Sequence, residues 1–587
     1  MKFAKYFTET GIICYNKNKA LYQGGIQMKK KILAVLCAAS MLFGSSAFAF
    51  DFPEPDWGAL LAEKREMAEK TEFDLYTEGN PDAAPYFGAR LEPRSGTYLG
   101  MIAENADSFL PLGSYLTYFD DMNQDDIYYP ANQMIRDGSA VVTIGWTIHS
   151  LDNVNYDKIR SVLDTLNGYQ KPMFIRFANE MNVSPLGDDP DRYIEVFRRV
   201  ADMVHEYPNF AVVWSPNDMG ALDRPFHYFY PGDTYVDWIG ISSYMKKYFQ
   251  GSQNTDDKSA AYFMTGDYAW ATNAVKPILK FMQDYHIQKP LMISEGGVAT
   301  NNQYGEDMTA WATPRLRNMY WYLVMKYPQI KLINNFNTHR ENEAERFDIS
   351  DYPFAADIFR EASSCGAYLH SANDTADFVF QKADDGAVLS AKDGKISLYT
   401  LCYVLREPNL SVHYYVDGNW AHAADQIPYR YDMDISSMAN GTHTLTIRAG
   451  SLEKTYSFYK KGNQIRFGAE IENTITVMLN GSPIAFDQPP IIKDDRTLVP
   501  LRAIFEALGA EVLWNDATQT VTATRGDKTV SLTIGSQTLY VGQSAVTLDV
   551  PAQLVNDRTL VPVRAISAAF DYQVDWDDEL QQVSITD

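Results

Sequence analysis

The sequence predicts a multidomain protein: a (β/α)8 TIM barrel, then an all-β sandwich, then an α+β domain built from a tandem repeat. Three observations predict this order. The 587 residues exceed the ~250–300 at which a single hydrophobic core usually stops growing. Short apolar runs alternate with helical patterns through the first half of the chain, and this alternation is typical of parallel α/β folds. Short alternating runs and a 62-residue repeat follow in the second half.

The chain carries a leader-like segment near its start. Met28 is followed by three lysines, an apolar run at 32–43 and the small-residue site Ala47-Phe48-Ala49. This order is typical of a secretory signal peptide, and the apolar run is shorter than the ~20 residues of a membrane span. We therefore expect a signal peptide at 28–49, a true start at Met28 with 1–27 as an upstream extension, and a secreted or cell-envelope protein without a transmembrane span.

Charge and composition narrow the choice of partner. The full chain has a net charge of −24, and cleavage after Ala49 would remove seven lysines and one glutamate, leaving −30. Such acidity argues against nucleic acid as a partner. The 10 Trp, 38 Tyr and 30 Phe favour uncharged ligands with flat apolar faces, such as sugars.

The barrel is predicted at 96–365, after an N-terminal extension at 50–95 that begins Pro-rich and includes a surface helix at 59–71. Helical periodicity occurs at 191–207, 269–285 and 315–327. A doubly wound sheet is the alternative, but no glycine-rich phosphate loop follows the first strand. The eight predicted strands are 98–103, 115–119, 140–148, 173–177, 211–214, 238–242, 291–294 and 331–336.

The second half is predicted to be rich in β-structure. Turn dipeptides such as Asp417-Gly418 separate alternating runs at 370–462, which predicts a small sandwich. At 465–587, Asp495-Arg-Thr-Leu-Val-Pro-Leu-Arg-Ala-Ile recurs 62 residues later from Asp557, and Trp514 recurs as Trp576. The two cysteines of the mature chain, Cys365 and Cys402, could pair in an oxidising compartment, and their spacing leaves this open.

Carboxylates end two of the predicted barrel strands. The fourth strand ends in Arg176-Phe-Ala-Asn179-Glu180, and the seventh ends in Ser294-Glu295. Barrel active sites lie at the C-terminal ends of strands, and glycoside hydrolysis needs two such carboxyl groups. A retaining pair is expected about 5–5.5 Å apart, and an inverting pair ~6.5–9.5 Å apart. The acid of the pair needs a raised pKa.

Neighbouring side chains complete the predicted site. Asn179 can hydrogen-bond a sugar hydroxyl, Arg176 can serve as an ion-pair partner in the barrel mouth, and Tyr244 can hold the carboxylate of the seventh strand. Trp146 and Trp214 are predicted to bind substrate by stacking on sugar rings, with a core role as the open alternative.

These residues resemble a known family. Arg176-Phe-Ala-Asn-Glu180-Met-Asn182, Trp214-Ser-Pro-Asn217, the block from Tyr230-Pro-Gly-Asp233 to Gly240, and Lys289-Pro-Leu-Met-Ile-Ser-Glu295 resemble family 26 glycoside hydrolases, which are β-mannanase-like enzymes of a retaining clan. The resemblance covers roughly 96–362. It implies Glu180 as acid/base, Glu295 as nucleophile and Tyr244 as the hydrogen-bond partner of the nucleophile. The chain departs from the family pattern in three places. Asn179 stands where the family usually has His, and Thr147 stands where the family has His after the strand-three Trp. The strand-eight Trp of the family has no clear counterpart in Asn334-Asn335-Phe336-Asn337.

The C-terminal repeat resembles the stalk-type domain named after the N-terminal domain of copper amine oxidases, and the sandwich looks like a bacterial immunoglobulin-like module. The stalk domain is common on exported proteins of Gram-positive-type bacteria. The sequence has no His after His443 and no Cys after Cys402, so the repeat lacks the usual imidazole and thiolate ligands of copper. For the chain as a whole we expect no metal site and no cofactor. The repeat is predicted to be a spacer or to attach the chain to a cell-wall or envelope component.

The sequence therefore predicts a secreted retaining glycoside hydrolase that cleaves a β-linked polysaccharide, mannan-like or related, by double displacement. The alternative is a non-catalytic glycan-binding or structural envelope protein with a degenerate barrel. The sequence does not select the sugar, the linkage, or endo over exo action.

Overall fold

The computed structural model describes most of the chain after residue 71. The predicted leader at 28–49 and the predicted helix at 59–71 lie outside the described residues. The described ranges are 72–120, 131–182, 185–217, 225–245, 270–302, 304–338, 345–403, 410–468, 475–494, 496–556, 558–564, 569–577 and 581–586.

A closed barrel of eight parallel strands forms the first half of the structure. The eighth strand returns to the first, with Leu332 opposite Tyr98 and Asn334 opposite Gly100, which closes the sheet. The predicted (β/α)8 barrel is thereby confirmed, and each predicted strand corresponds to an observed one. The barrel strands are Thr97–Ile102, Ser114–Asp120, Val141–Thr147, Met173–Phe177, Phe210–Trp214, Trp238–Met245, Leu291–Val298 and Ile330–Asn335.

Helices follow the barrel strands and begin at sequence signals that explain their bounds. The helix after the third strand begins behind Asn155, whose side chain accepts from the backbone N–H of Lys158 at 3.0 Å. The helix after the fourth strand begins with Pro190 behind Asp189, which caps the N–H of Arg192 at 2.9 Å. The α-helices of this half are Ala131–Asp137, Tyr156–Asn167, Pro190–His205, Trp270–Asp284, Thr309–Arg317, Leu323–Lys326 and Pro353–Ser363, with a π-helical turn at Asn318–Tyr322.

An apolar layer fills the barrel below the predicted site. Side chains from several strands pack together, including Phe174 edge-on against Trp238 at 4.8 Å between ring centroids. Alternate residues of a strand project to the same face, so Arg176 lies one layer above Phe174, toward the C-terminal end of the strands. The apolar layer therefore forms the floor on which the polar site is built.

The second half begins with a β-sandwich. A buried hydrogen bond of 2.8 Å between Thr400 Oγ1 and the Tyr414 hydroxyl joins its two sheets, and side chains of both belong to one hydrophobic core. One sheet has the order Val379–Lys382, Glu72–Gly79, Lys395–Tyr403, Tyr429–Asp434; the other has the order Val388–Ser390, Gln464–Phe467, Leu452–Lys461, Gly441–Ala449, Val412–Val416, Asn419–Ala424.

One strand of this sandwich comes from before the barrel. Glu72–Gly79 lies between Val379–Lys382 and Lys395–Tyr403 and pairs antiparallel with both. Lys326 of the barrel reaches Asp74 of this strand at 3.5 Å, so the strand also connects the two folds. The strand Gln464–Phe467, which spans the predicted boundary of the C-terminal domain, pairs with the sandwich strand Leu452–Lys461. Cys365 and Cys402 are free thiols.

The C-terminal repeat folds around an approximate two-fold axis. Strands Arg496–Pro500 and Arg558–Pro562, which carry the repeated signature, pair antiparallel with Val499 opposite Val561. These two valines are equivalent positions of the two repeats, so the axis passes through this pair. The first residues of the two signatures, Asp495 and Asp557, lie outside the described part of the chain.

Ion pairs cross this axis reciprocally. Arg496 of the first repeat pairs with Asp549 of the second at 2.6 Å, and Arg558 of the second pairs with Asp487 of the first at 2.6 Å. The remaining sheets also take strands from both repeats. The sheet that contains the signature strands has the order Ile491–Lys493, Arg496–Pro500, Arg558–Pro562, Gln553–Val555, and the helix Leu501–Ala507 follows its second strand in the chain. A second sheet of four strands has the order Ser482–Pro483, Thr476–Leu479, Gln582–Thr586, Gln573–Asp577. A third sheet of five strands has the order Glu511–Asn515, Thr520–Arg525, Lys528–Thr533, Thr538–Val541, Ser544–Thr547.

In the part of the chain with described coordinates, we find no helix that combines the length and apolar character needed to span a membrane.

Candidate active site

A bulge in the seventh barrel strand directs two adjacent polar side chains into the site. Ile241 lies opposite Ile293, but Ser242 lies opposite Glu295, so Ser294 is an extra residue in the ladder. Strict alternation would place Ser294 and Glu295 on opposite faces. With the bulge, the Ser294 hydroxyl contacts the Ser215 hydroxyl at 2.9 Å and Glu295 still bonds inside the barrel.

The fourth strand ends in a strained turn that presents Glu180. Ala178 and Glu180 have φ angles of 47° and 59°, in the left-handed region that side chains with a Cβ seldom adopt. Backbone hydrogen bonds hold the turn: Ala178 N–H donates to the Trp146 carbonyl at 2.9 Å, and Glu180 N–H donates to the Ser215 carbonyl at 2.8 Å. Such strain is common where a structure fixes a functional side chain.

Arg176 is the organising cation of the site. It is fully buried, and its Nη1 donates to Glu295 Oε2 at 2.6 Å. Its Nε donates to the Ser215 hydroxyl at 2.9 Å, and its Nη2 donates to the Ser242 hydroxyl. A buried charge needs an opposite charge and hydrogen bonds, and Arg176 has both. The guanidinium is therefore fixed against the carboxylate of the seventh strand.

Glu295 is held as a carboxylate. Only 7% of the residue is exposed, and burial alone would raise its pKa. The charge of Arg176 and the hydrogen bond from the Tyr244 hydroxyl, with a further contribution from Tyr118, outweigh burial and lower the pKa of Glu295. An ionised, desolvated and oriented carboxylate is suited to nucleophilic attack.

The surroundings of Glu180 favour its protonated form. The residue is 6% exposed, and burial, followed by the negative charge of Glu295, raises its pKa. Asn217 Nδ2 donates to Glu180 Oε1 at 3.1 Å. A reciprocal pair fixes this amide: Asn217 N–H donates to Asn182 Oδ1 at 2.7 Å, and Asn182 Nδ2 donates to the Asn217 carbonyl at 2.8 Å. Glu180 is therefore positioned to hold and release a proton.

The structure brings four of the predicted residues together and separates two others from the site. Arg176, Glu180, Glu295 and Tyr244 form the network above. Asn179, next to Glu180, is half-buried. Its side-chain oxygen is buried and has no hydrogen-bond partner among the described residues.

Trp146 and Trp214 are buried too deeply to stack on a sugar. Both have no exposed surface. Trp146 packs edge-on against Phe119 at 4.8 Å, and Trp214 donates its indole N–H to the Phe229 carbonyl at 3.0 Å. This burial argues against the predicted substrate-binding role of both residues and favours the core role that the sequence left open.

Four contributors were not predicted from sequence. Tyr118 and Ser242 touch the network but lie in strands whose sequences show only small, polar and aromatic residues in turn. Ser215 and Asn217 lie in the Trp214-Ser-Pro-Asn217 motif, which indicates a strand end but not which side chains meet Arg176 and Glu180. In the described ranges, no cluster of three or more His, Cys, Asp or Glu side chains is arranged to bind a metal ion.

Among curated proteins, the chain is similar to the beta-1,3-xylanase TXYA of Vibrio sp., with 24% identity over 197 residues. The similarity covers 31% of this chain and 39% of the xylanase, so the chain spans well under half the length of that relative.

Two solved structures are similar at low identity. A double mutant of the Cellulomonas fimi endo-beta-1,4-mannanase has a TM-score of 0.33 and 14% identity, and covers 65% of this chain and 99% of its own. The family 26 beta-mannanase BoMan26A of Bacteroides ovatus has a TM-score of 0.34 and 13% identity, and covers 55% of this chain and 97% of its own.

Two family models match the chain in separate regions. The model described as glycosyl hydrolase family 26 matches residues 124–320, which include both Glu180 and Glu295. The model described as copper amine oxidase N-terminal domain matches residues 478–585, which include both signature strands. The chain therefore combines a glycosyl hydrolase family 26-like domain, built as a parallel barrel, with a copper amine oxidase N-terminal-like domain.

Proposed function

We propose that this protein is a glycoside hydrolase that cleaves β-linked polysaccharides with retention of anomeric configuration. The observation that carries the proposal is the pair of buried carboxyl groups, Glu180 and Glu295, whose pKa values are shifted in opposite directions at the C-terminal mouth of one barrel. A division into one proton donor and one carboxylate is what glycoside hydrolysis requires.

The first step forms a covalent glycosyl-enzyme. A Glu295 carboxylate oxygen attacks the anomeric carbon while Glu180 donates its proton to the departing glycosidic oxygen, so the C–O bond to the leaving sugar breaks as the bond to Glu295 forms. Arg176 stays hydrogen-bonded to Glu295 and keeps the carboxyl group oriented while one of its oxygens attacks. Asn179, which precedes Glu180 and is half-buried, is proposed to hydrogen-bond a hydroxyl of the reacting sugar.

The second step releases the product. Glu180, now a carboxylate, takes a proton from water as the water oxygen attacks the anomeric carbon. The attack comes from the face opposite the bond to Glu295. The bond to Glu295 breaks, Glu295 regains its negative charge, and Glu180 regains its proton. The raised pKa of Glu180 serves both steps, because the same group must give a proton and then recover one.

We propose a neutral β-glycan as substrate and an exported location. The family 26 match and the xylanase name of the similar curated protein support a β-glycan, and the chain charge of −24 disfavours a polyanionic one. The leader-like segment at 28–49 supports export, and the C-terminal repeat is proposed as an attachment or spacer module.

Wild type and Glu295→Gln, assayed side by side, test the activity. The panel is β-mannan, mixed-linkage β-glucan, β-1,3-xylan and β-1,4-xylan, with reducing ends as readout. We expect release by wild type and a loss of at least about 10³-fold in Glu295→Gln, because the variant keeps the shape but lacks the nucleophile. Proton NMR of the first product should show the β anomer before mutarotation; an initial α anomer would contradict retention.

A non-catalytic glycan-binding or envelope protein is the second candidate. It is favoured by the departures from the family pattern at Asn179, at Thr147 and at the missing Trp of the eighth strand, which all lie at the C-terminal ends of barrel strands. Binding to one polysaccharide of the panel without release of reducing ends, unchanged in Glu295→Gln, would establish this candidate and exclude the hydrolase.

A further inference from the structure

Three neighbouring barrel strands place Tyr118, Gly145 and Arg176 side by side. In the ladder, Tyr118 lies opposite Gly145, and Gly145 lies opposite Arg176. Residues in register on adjacent parallel strands project to the same face, so all three face the barrel interior at one level. Arg176 extends from this level to Glu295.

Gly145 leaves the space that the ring of Tyr118 occupies. A Cβ added to Gly145 would lie 2.7 Å from Cδ1 and 2.8 Å from Cε1 of Tyr118, which is closer than such atoms can approach. Gly145 has no positive φ, so its backbone does not require glycine. Glycine is therefore needed here for space: the Tyr118 ring occupies the volume that the Cβ of any other residue would fill.

The ring of Tyr118 also contacts Phe336, which contacts Tyr244 as well. Phe336 packs edge-on against Tyr118 at 6.2 Å and edge-on against Tyr244 at 5.6 Å between ring centroids. The two tyrosines thus flank one phenylalanine. Tyr244 donates to Glu295 Oε1.

The Tyr118 hydroxyl can donate a hydrogen bond, and no acceptor other than Glu295 is assigned to it among the described residues. Its oxygen is buried and makes no hydrogen bond of regular geometry with the described residues. Burial, followed by the negative charge of Glu295, holds the pKa of this hydroxyl well above its usual range, so it stays protonated. A buried hydroxyl without a partner is costly, and the adjacent carboxylate is an acceptor that would remove the cost.

We propose that Tyr118 is a positioning residue for Glu295, a second phenolic donor admitted to the barrel by the absence of a side chain at Gly145. The inference rests on the proposed function, in which Glu295 is the nucleophile. Tyr118 acts through Glu295: together with Tyr244 and Arg176 it keeps the carboxylate ionised and turned toward the mouth. The donor from the second strand and the donor from the sixth strand hold Glu295 between them.

Tyr118→Phe tests the donor, because it removes the hydroxyl and keeps the ring. A hydrogen bond to the carboxylate lowers its pKa, so its loss raises the pKa of Glu295. We expect the acid limb of the kcat/KM profile to move up by about one pH unit, with kcat at the neutral plateau changed less than about threefold. Tyr193→Phe is the matched control, because the Tyr193 hydroxyl is also buried and unpartnered among the described residues but lies in the helix Pro190–His205.

Gly145→Ala tests whether the space beside Gly145 is needed to place the Tyr118 ring. The added methyl must displace the ring, so we expect the same direction of shift in the acid limb and a larger loss of kcat/KM, in protein whose melting temperature shows that it folds. An acid limb that does not move in Tyr118→Phe, or that moves equally in Tyr193→Phe, would refute the positioning role.

A substrate-free measurement separates this inference from the proposed activity. The pKa of Glu295 can be read from the carboxyl resonance of ¹³C-glutamate-labelled protein, assigned with Glu295→Gln. If wild type hydrolyses no glycan but Tyr118→Phe raises this pKa, the positioning role stands and the hydrolase proposal fails. If wild type hydrolyses and this pKa is unchanged in Tyr118→Phe, the positioning role fails alone.

Discussion

At the scale of single residues, the site works by giving two glutamates of the same chemistry different environments. Glu295 receives the charge of Arg176 and contributions from two phenol hydroxyls, Tyr244 and Tyr118. Glu180 receives the negative charge of Glu295, which together with burial outweighs the opposing contributions of Arg176, Ser242 and Asn217. Burial acts on both in the same direction and raises both pKa values. The difference in charge and hydrogen bonding therefore decides which carboxyl holds the proton.

Asn217→Ala should move the alkaline limb of the kcat/KM pH profile to higher pH. The Asn217 amide donates to Glu180 and favours its ionised form, which lowers the pKa of Glu180 and partly offsets burial. Removing the amide should raise this pKa further, so the alkaline limb of kcat/KM should move to higher pH by about 0.5–1 unit. Asn167→Ala, at the C-terminal end of the helix Tyr156–Asn167, is the control. A shift to lower pH would contradict the assigned hydrogen bond.

Much of the site could be predicted from sequence because motif residues sit at the ends of strands. Glu180, Glu295, Arg176 and Tyr244 were found in this way. Tyr118 was not, because its role depends on the register between strands and on the empty space at Gly145. Register is a property of pairing, and a single sequence shows only which runs form strands.

At the scale of elements, strand Glu72–Gly79 shows how distant parts of the chain complete one sheet. Thr77 Oγ1 donates to the carbonyl of Ser397, 320 positions later, at 3.0 Å. Leu75 and Tyr76 of the strand are buried in the main core. The eight barrel strands were predictable from apolar runs flanked by helices. This strand was not, because Glu, Asp and Thr interrupt it and its partners lie beyond the barrel.

Deleting residues 1–79 should destabilise the sandwich, because it removes a strand with partners on both sides. We expect a lower melting temperature and exposure of the edge of Lys395–Tyr403, which favours aggregation. Deleting 1–71 keeps the strand and is the matched control. Differential scanning fluorimetry and size-exclusion chromatography compare the two, and equal behaviour of both deletions would show that the strand is dispensable.

At the scale of the whole molecule, the network around Glu180 and Glu295 and the C-terminal repeat use separate parts of the chain. The residues of the network lie between Tyr118 and Glu295, and the repeat has its own hydrophobic core. The sandwich ends with Gln464–Phe467, which is the natural limit for truncation.

Deleting residues 475–587 should leave hydrolysis of the preferred glycan within about twofold of wild type, because it removes no sandwich strand. It should abolish retention at the cell envelope if the repeat is the attachment module, as measured by fractionation of cells and medium. Deleting 464–587, which also removes Gln464–Phe467, is expected to lower stability. Unchanged retention after either deletion would exclude attachment through the repeat.

The two-fold relation within the repeat makes this region an internal dimer. In a true homodimer, the strand pair at Val499 and Val561 would form between two molecules and would separate on dilution. Here the second copy is tethered by the chain, so its effective concentration is fixed by the linker and not by the amount of protein. The repeat therefore keeps a symmetric, strand-sharing architecture whatever the protein concentration.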